Sequence, residues 1–295
     1  MAVRLGLVGV GRWGRILASK FQELGAAVAC HDRGNGDAPT QGLGQRVAWR
    51  DMLGQVDAVV LAAPPSINFE VALRAAERGL PIFCTKPVGL TAGQARQLRD
   101  VRKAPFIVDY VHSRSRIFQR MKRVLSGTEP TDVSISMYGD GPERAFPPLW
   151  DYGPHALSIL FALYPNIPFE IGSATTRRNG NRARHYVGGM VRGARVSLVF
   201  GNNSSETMRR VLAYSPTVSK LDGPSLHVAY EERLGGEVEL LVANIPIVRE
   251  HHDPLKDLAQ DFLDAPKFRD VGASWNHLDV SVRIAETLDE IAAHE

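Results

Sequence analysis

A six-residue glycine pattern near the amino terminus, Gly9-Val10-Gly11-Arg12-Trp13-Gly14, constrains this chain more than any other feature. It follows a short apolar run, Val3–Val8, and opens a helix-like stretch, Arg12–Leu24. That is the context in which G-x-G-x-x-G receives a dinucleotide pyrophosphate. The first glycine permits a tight turn, the second lets the backbone approach the phosphates, and the third lets helix and strand pack closely. The N–H groups and positive dipole end of the helix then face the anion. Val28–His31 reads as a second strand, and Asp32 at its end is placed to bind the ribose diol of NAD. Arg33 follows directly and suits the 2′-phosphate of NADP, so both dinucleotides stay open.

Strand and helix signals go on alternating through the first hundred residues, which argues for a parallel α/β sheet. Asp57–Ala63 is continuously apolar, as a strand buried on both faces should be. Ser66 is placed to cap a helix through about Arg78, with Gly79 as its stop. Pro81–Cys84 is another strand. Thr91 and Gln94 form a T-x-x-Q capping box that opens a helix to about Arg102, and Phe106–Tyr110 is a further strand.

Beyond residue 112 the texture changes. A basic helix, Arg116–Leu125, is followed by strand-like segments at 131–138, 169–176, 185–192, 195–201, 206–214 and 226–229. One helix, about 154–163, interrupts them, and two helices close the chain at about 254–264 and 275–293. The pattern predicts two domains, 1–113 and 114–295, the second an α+β domain with a largely antiparallel open sheet. The final helix is free to pack back on the first domain.

Composition removes several classes of function. Cys30 and Cys84 are the only cysteines and both sit in apolar runs, which excludes a disulfide framework and points to a reducing, cytoplasmic setting. No apolar run approaches the roughly 18 residues that would span a bilayer, so no membrane partner is expected. A net charge of +3 is too small to mark a nucleic-acid binder. Two acid-free basic stretches, 114–123 and 177–195, read either as solvated faces or as sites for an anionic substrate or cofactor phosphate. Neither H-E-x-x-H nor C-x-x-C occurs, and no metal site is expected.

Chemistry-bearing residues cluster at the expected strand ends, where ligands gather in such sheets. Ala63-Pro64-Pro65 forms a rigid wall at one of them. Thr85-Lys86-Pro87 ends another, in a chain where lysine supplies only seven of 35 basic residues. An ammonium there can polarise a substrate oxygen or exchange a proton, or it can serve a structural ion pair. Tyr110 ends the last strand of this set, His112 and Arg114 follow it, and all three are candidate substrate contacts. Asp151-Tyr152-Gly153-Pro154-His155 precedes an apolar run. With Pro154 at the first helical position, His155 falls in the first turn, where the dipole favours the neutral imidazole that a general base requires.

The ordered set of motifs resembles the Gfo/Idh/MocA oxidoreductases, the family of glucose–fructose oxidoreductase and inositol dehydrogenase. The landmarks are the glycine motif, the strand and Pro-Pro segment at 57–66, Thr85-Lys86-Pro87 in place of a usual Glu-Lys-Pro, and Asp151-x-Gly-x-His155. Asn276–Ile291 looks like the closing helix of the family. The resemblance implies a Rossmann domain with a doubly wound parallel sheet, joined to an α/β domain whose open sheet mediates homodimers or homotetramers. It implies NAD or NADP, held by Gly9, Gly11, Arg12, Trp13, Gly14, Asp32, Arg33, Ala63, Pro64, Pro65, Asn68, Thr85, Lys86 and Pro87. Lys86 takes the place of the catalytic lysine, and Asp151 and His155 the places of the acidic and histidine site residues. Substrate contacts then fall to Lys86, Tyr110, His112, Arg114, Asp151 and His155, and substrates of carbohydrate type are expected. Three places depart from the pattern: the usual glutamate is Thr85, a frequent histidine after Pro-Pro is Asn68, and the glycine-rich stretch that often precedes Asp151 is Phe146-Pro147-Pro148-Leu149-Trp150. A non-catalytic dinucleotide-binding regulator and an imine (C=N) reductase are the competing readings.

Overall fold

The computed structural model describes residues 2–31, 47–141, 143–215, 226–232, 237–251, 253–265 and 277–294. The chain divides into two compact units, one formed by Met1–Asp109 with Leu255–Ala285, the other by Tyr110–Pro254 with Glu286–Glu295.

The first unit alternates strand and helix: β1 (Arg4–Val8), α1 (Arg12–Glu23), β2 (Ala27–His31), the short α2 (Trp49–Met52), β3 (Ala58–Leu61), α3 (Pro65–Glu77), β4 (Ile82–Cys84), α4 (Ala92–Val101) and β5 (Phe106–Val108). All five strands are parallel, in the order β2-β1-β3-β4-β5. β3, β4 and β5 are buried along their whole length, as their unbroken apolar sequences require. α1 buries Gly14, Leu17, Ala18 and Phe21, a stripe at helical spacing. α3 does not begin as expected from Ser66. Pro65 is its first residue and Pro64 the cap position, so the preset proline φ starts the helix without a side-chain cap. α4 does use its predicted cap: Gln94 N–H donates to Thr91 Oγ1 at 3.2 Å, while Gln94 Oε1 accepts from Leu90 N–H. Thr91→Ala is expected to cost about 1 kcal/mol. The cost should appear as a lower urea midpoint at unchanged slope, and an unchanged midpoint would show that the cap carries no weight.

In the second unit, α5 (Val111–Arg114) and α6 (Arg116–Leu125) lead into β6 (Asp132–Tyr138) and α7 (Pro148–Leu163). Then follow β7 (Glu170–Asn179), β8 (Arg182–Val191), β9 (Ala194–Gly201), β10 (Met208–Ser215), β11 (Leu226–Glu232), β12 (Glu237–Val242) and β13 (Ile245–His251). The eight strands run β13-β12-β11-β10-β6-β9-β8-β7. Every neighbouring pair is antiparallel except β6 with β9. Val133, Ile135 and Met137 alternate along β6 toward one buried face, beside Val196, Leu198 and Phe200 of β9. α7 covers that face across β6 and β9, and α6 covers it across β11 and β12. α6 keeps Ile117, Phe118, Met121 and Leu125 inside while Arg116 and Arg120 stay exposed, so this basic stretch has a solvated face. In the second basic stretch, Arg182 pairs with Asp140 and Arg195 with Asp132 at the surface.

β12 and β13 extend the sheet beyond the strands expected from sequence. They are joined by Ala243-Asn244 with φ +50° and +65°, a two-residue turn of the primed type that matches strand twist. Pro246 is tolerated because β13 is an edge strand.

The last two helices are α8 (Pro254–Asp264) and α9 (Leu278–His294); Asn276 lies outside the described residues. α8 returns to the first unit, where Phe262 meets Phe21 and Phe83 edge-on at 6.0 and 5.7 Å. His277, just before α9, lies along the edge strand β5. Its N–H donates to Phe106 O at 2.9 Å, and its Nδ1 accepts from Val108 N–H at 3.0 Å. Among the described residues no helix is long and apolar enough to cross a membrane.

Candidate functional site

Each glycine of the motif has a distinct steric reason to be glycine. Gly9 ends β1 at φ +91°, and a Cβ there would lie 2.6 Å from Ala63 N, so its bareness lets the carboxyl end of β3 approach. A Cβ on Gly14 would lie 2.0 Å from Gly9 O. A Cβ on Gly11 would meet nothing within 4 Å. Gly11 therefore opens onto space rather than onto the protein, the cradle that a pyrophosphate needs. Gly11 also sits at the cap position of α1 with no side-chain cap, and the first bond of the helix is Arg15 N–H to Gly11 O. The N–H groups of Arg12, Trp13 and Gly14 come before that bond, as in an anion-binding helix start. Arg12 and Trp13 are exposed on this first turn. The residues present fit a dinucleotide. Asp32 and Arg33, the candidates for choosing between NAD and NADP, lie outside the described residues.

At the end of β3, Ala63 and Pro64 are accessible and Pro65 is buried. Asn68 and Thr85, two of the departures from the family pattern, prove to be one feature. Ala63 N–H donates to Asn68 Oδ1 at 2.9 Å, and Asn68 Nδ2 donates to Thr85 Oγ1 at 3.1 Å. Both side chains are buried, so they join the ends of β3 and β4 through a satisfied polar pair. Lys86 follows, half-buried, at the carboxyl end of β4, with a cis bond to the buried Pro87.

Beside it stands an acid that sequence reasoning missed. Asp109 follows β5, is 2 % exposed, and accepts Lys86 N–H on Oδ1 at 2.7 Å and Trp13 Nε1–H on Oδ2 at 3.0 Å. Burial pushes its carboxyl up to about 7, against the opposing pull of Lys86 and Trp13. An acid at the end of a buried parallel strand was the available signal.

The second unit gathers the remaining candidates around α7. This helix starts at Pro148, six residues earlier than expected, because Pro147 and Pro148 supply its cap and first position. Pro154 therefore lies inside the helix. His155 is in the interior and not in the first turn, so the dipole argument for its neutral form does not apply. Asp151 and His155 are instead one turn apart on the same helical face. Arg144 Nε donates to Asp151 Oδ2 at 3.4 Å. The rings of His155 and His112 meet edge to face at 5.0 Å. His112 Nδ1 lies 3.3 Å from Glu232 Oε2, at the end of β11. Burial alone would raise the Glu232 carboxyl. The hydrogen bond and charge of His112, with the charge of Arg209, outweigh burial and hold it below its ordinary value. Arg209 also stands 5.7 Å over the ring of Tyr152. Glu232 and Arg209 were not anticipated, since only the β10–β11 pairing brings them together. Tyr110 is buried, with its carbonyl accepting from Ser113 Oγ. Arg114 is exposed, and its charge helps to lower the Lys122 ammonium after burial has done most of the work.

Comparison with known proteins agrees with this geometry. Residues 3–104 match the family model described as an oxidoreductase family with an NAD-binding Rossmann fold. The rhizopine catabolism protein MocA of Rhizobium meliloti is 36% identical over 109 residues, covering 33% of each chain. This chain thus spans about a third of the length of that relative. Two solved structures resemble it over nearly its whole length. UDP-N-acetylglucosamine 3-dehydrogenase GnnA from Acidithiobacillus ferrooxidans superposes with a TM-score of 0.79 at 18% identity, covering 100% of this chain and 98% of that one. Biliverdin reductase from Synechocystis, in complex with biliverdin and NADP+, gives 0.74 at 16% identity, covering 99% and 98%. At those identities the likeness is one of fold. Through residues 3–104, the chain is thus similar to the Gfo/Idh/MocA oxidoreductases over the part that forms their NAD-binding Rossmann fold.

Proposed function

We propose that this chain is an NAD(P)-dependent oxidoreductase moving a hydride to or from a polar, sugar-like carbonyl or alcohol. The observation that carries this reading is the glycine turn, in which Gly9 and Gly14 are closed by protein while Gly11 faces open space at a helix start. When bound, a nicotinamide dinucleotide supplies the hydride chemistry. The chain supplies orientation and proton transfer. His155 exchanges the hydroxyl proton as general acid and base. Lys86 holds the reacting oxygen and stabilises the charge that develops on it. Asp151, one helical turn from His155, orients the histidine or a substrate hydroxyl.

The likeness to a sugar-nucleotide dehydrogenase supports a sugar nucleotide or sugar phosphate as substrate. Arg114 is the exposed cation offered to such an anion. The open face of the eight-stranded sheet, where Ser134, Ser197 and Tyr214 lie, is offered to a second copy of the chain in a homodimer or homotetramer. The buried thiols of Cys30 and Cys84, neither of them in a disulfide, suit the reducing cytoplasm.

The test begins with denaturing the purified protein, identifying any released dinucleotide by mass spectrometry, and titrating the stripped protein with NADH and NADPH. Tight binding of one of them is expected, with turnover in a screen of sugar nucleotides and phosphates. Reduction of imines alone would shift the reading to a C=N reductase. Failure of both dinucleotides to bind at millimolar concentration would sink it.

A further inference from the structure

Lys86 and the glycine motif come from different segments, yet one side chain holds them together. Asp109 puts one carboxylate oxygen on the Lys86 main chain and the other on the Trp13 indole. Trp13 is 41% exposed and stands on the first turn of α1, beside the Gly11 opening. Asp109 itself is buried at the carboxyl end of β5. A buried carboxylate is costly unless its oxygens are satisfied, and here both are engaged by groups of the candidate site.

We propose that Asp109 is a positioning residue that couples the dinucleotide-binding turn to Lys86, by clamping the Trp13 indole and the Lys86 backbone on its two oxygens. The inference rests on the oxidoreductase reading above and deepens it. An occupant of the Gly11 opening that settles Trp13 thereby settles the Lys86 backbone as well. Phosphate binding and presentation of the lysine become one event. The groups facing the carboxylate are the Lys86 ammonium and N–H, the Trp13 indole, the Cys84 thiol and the N–H of Asp109 itself. With ionisation near pH 7, both oxygens accept above that pH. Below it one oxygen carries a proton and turns donor, which opposes the two N–H groups.

Asp109→Asn keeps the shape but places an N–H2 against one of the two donors. Trp13→Phe removes one donor at an accessible position and guards against a variant that fails to fold. Two readouts are needed, neither of them activity. First, the emission difference between the wild type and Trp13→Phe is followed from pH 5 to 9. It should titrate with a midpoint near 7 and be flat on the Asp109→Asn background. Second, hydrogen exchange of the peptide spanning Lys86 is followed with and without saturating NADH. Exchange should slow on NADH addition in the wild type. Each variant should lose about tenfold of that protection, the scale of one hydrogen bond to a charged group.

A titration that persists on the Asp109→Asn background, or equal NADH protection in all three proteins, would overturn the clamp. The pH titration needs no dinucleotide, so its result is separate from the oxidoreductase reading. A wild type that titrates as expected but binds neither NADH nor NADPH would overturn that reading, and the positioning role with it.

Discussion

Gly11→Ala should leave the protein folded with a weakened hold on its dinucleotide, whereas Gly14→Ala should damage the fold itself. The two glycines share a motif but face opposite constraints. A methyl on Gly14 would lie 2.0 Å from the carbonyl oxygen of Gly9. That oxygen is backbone and cannot swing aside like the tip of a flexible side chain. The helix must therefore retreat from the strand, at a cost of about 3 kcal/mol or more. A methyl on Gly11 meets no atom within 4 Å, and the residue already has φ −66°, which any L-residue accepts. Losing glycine at the cap should cost less than about 1 kcal/mol. The new methyl instead occupies the approach of the phosphates. Overpacking of about 1–3 kcal/mol there would weaken NADH or NADPH binding by about 5- to 150-fold. Urea unfolding and cofactor titration of both variants check the pair. Wild-type affinity in a folded Gly11→Ala protein would mean that the pyrophosphate does not lie on this turn.

Lys86→Ala should abolish measurable turnover while cofactor affinity stays within a few-fold. Asp109 accepts the Lys86 main-chain N–H, so alanine keeps the amide that orders this turn. What disappears is the cation proposed to stabilise charge on the reacting oxygen. Removing one such donor typically costs about 10²–10³ in kcat. Lys86→Arg should not restore the rate, because a planar fork does not reproduce a compact ammonium. Steady-state kinetics beside a fluorescence titration of NADH would decide the matter. Equal loss of cofactor affinity and turnover would make Lys86 a cofactor anchor instead.

Local chemistry made much of the first unit legible in its sequence. The unbroken apolar runs of β3 and β4 mark strands buried on both faces, and the Thr91–Gln94 spacing announces the start of α4. The glycine motif is equally local, since its steric demands arise within a few residues and one neighbouring strand. Sequence reasoning failed where a rule had two readings or a partner lay far away. Pro154 looks like a helix start, but Pro147 and Pro148 had already begun α7, and its apolar surroundings hold the proline inside. β12 and β13 are joined by Ala243-Asn244 without a glycine, and β13 contains a proline, so both usual hairpin signals were missing. Asp109 with Trp13, and His112 with Glu232, are long-range pairs separated by about a hundred residues. No periodicity carries information about such encounters.

The first unit is assembled from two stretches, Met1–Asp109 and Leu255–Ala285, and this has a consequence for synthesis. Phe21 and Phe83 meet at 5.4 Å, and both pack against Phe262, which the ribosome delivers some 150 residues after Asp109. At ordinary elongation rates that delay is about 8–30 s. For that interval the emerging parallel sheet lacks α8 over this aromatic patch, and β5 lacks the His277 backbone along its edge. Until residue 277 has left the exit tunnel, the β5 edge stays uncovered, and an uncovered strand edge is a template for stray pairing.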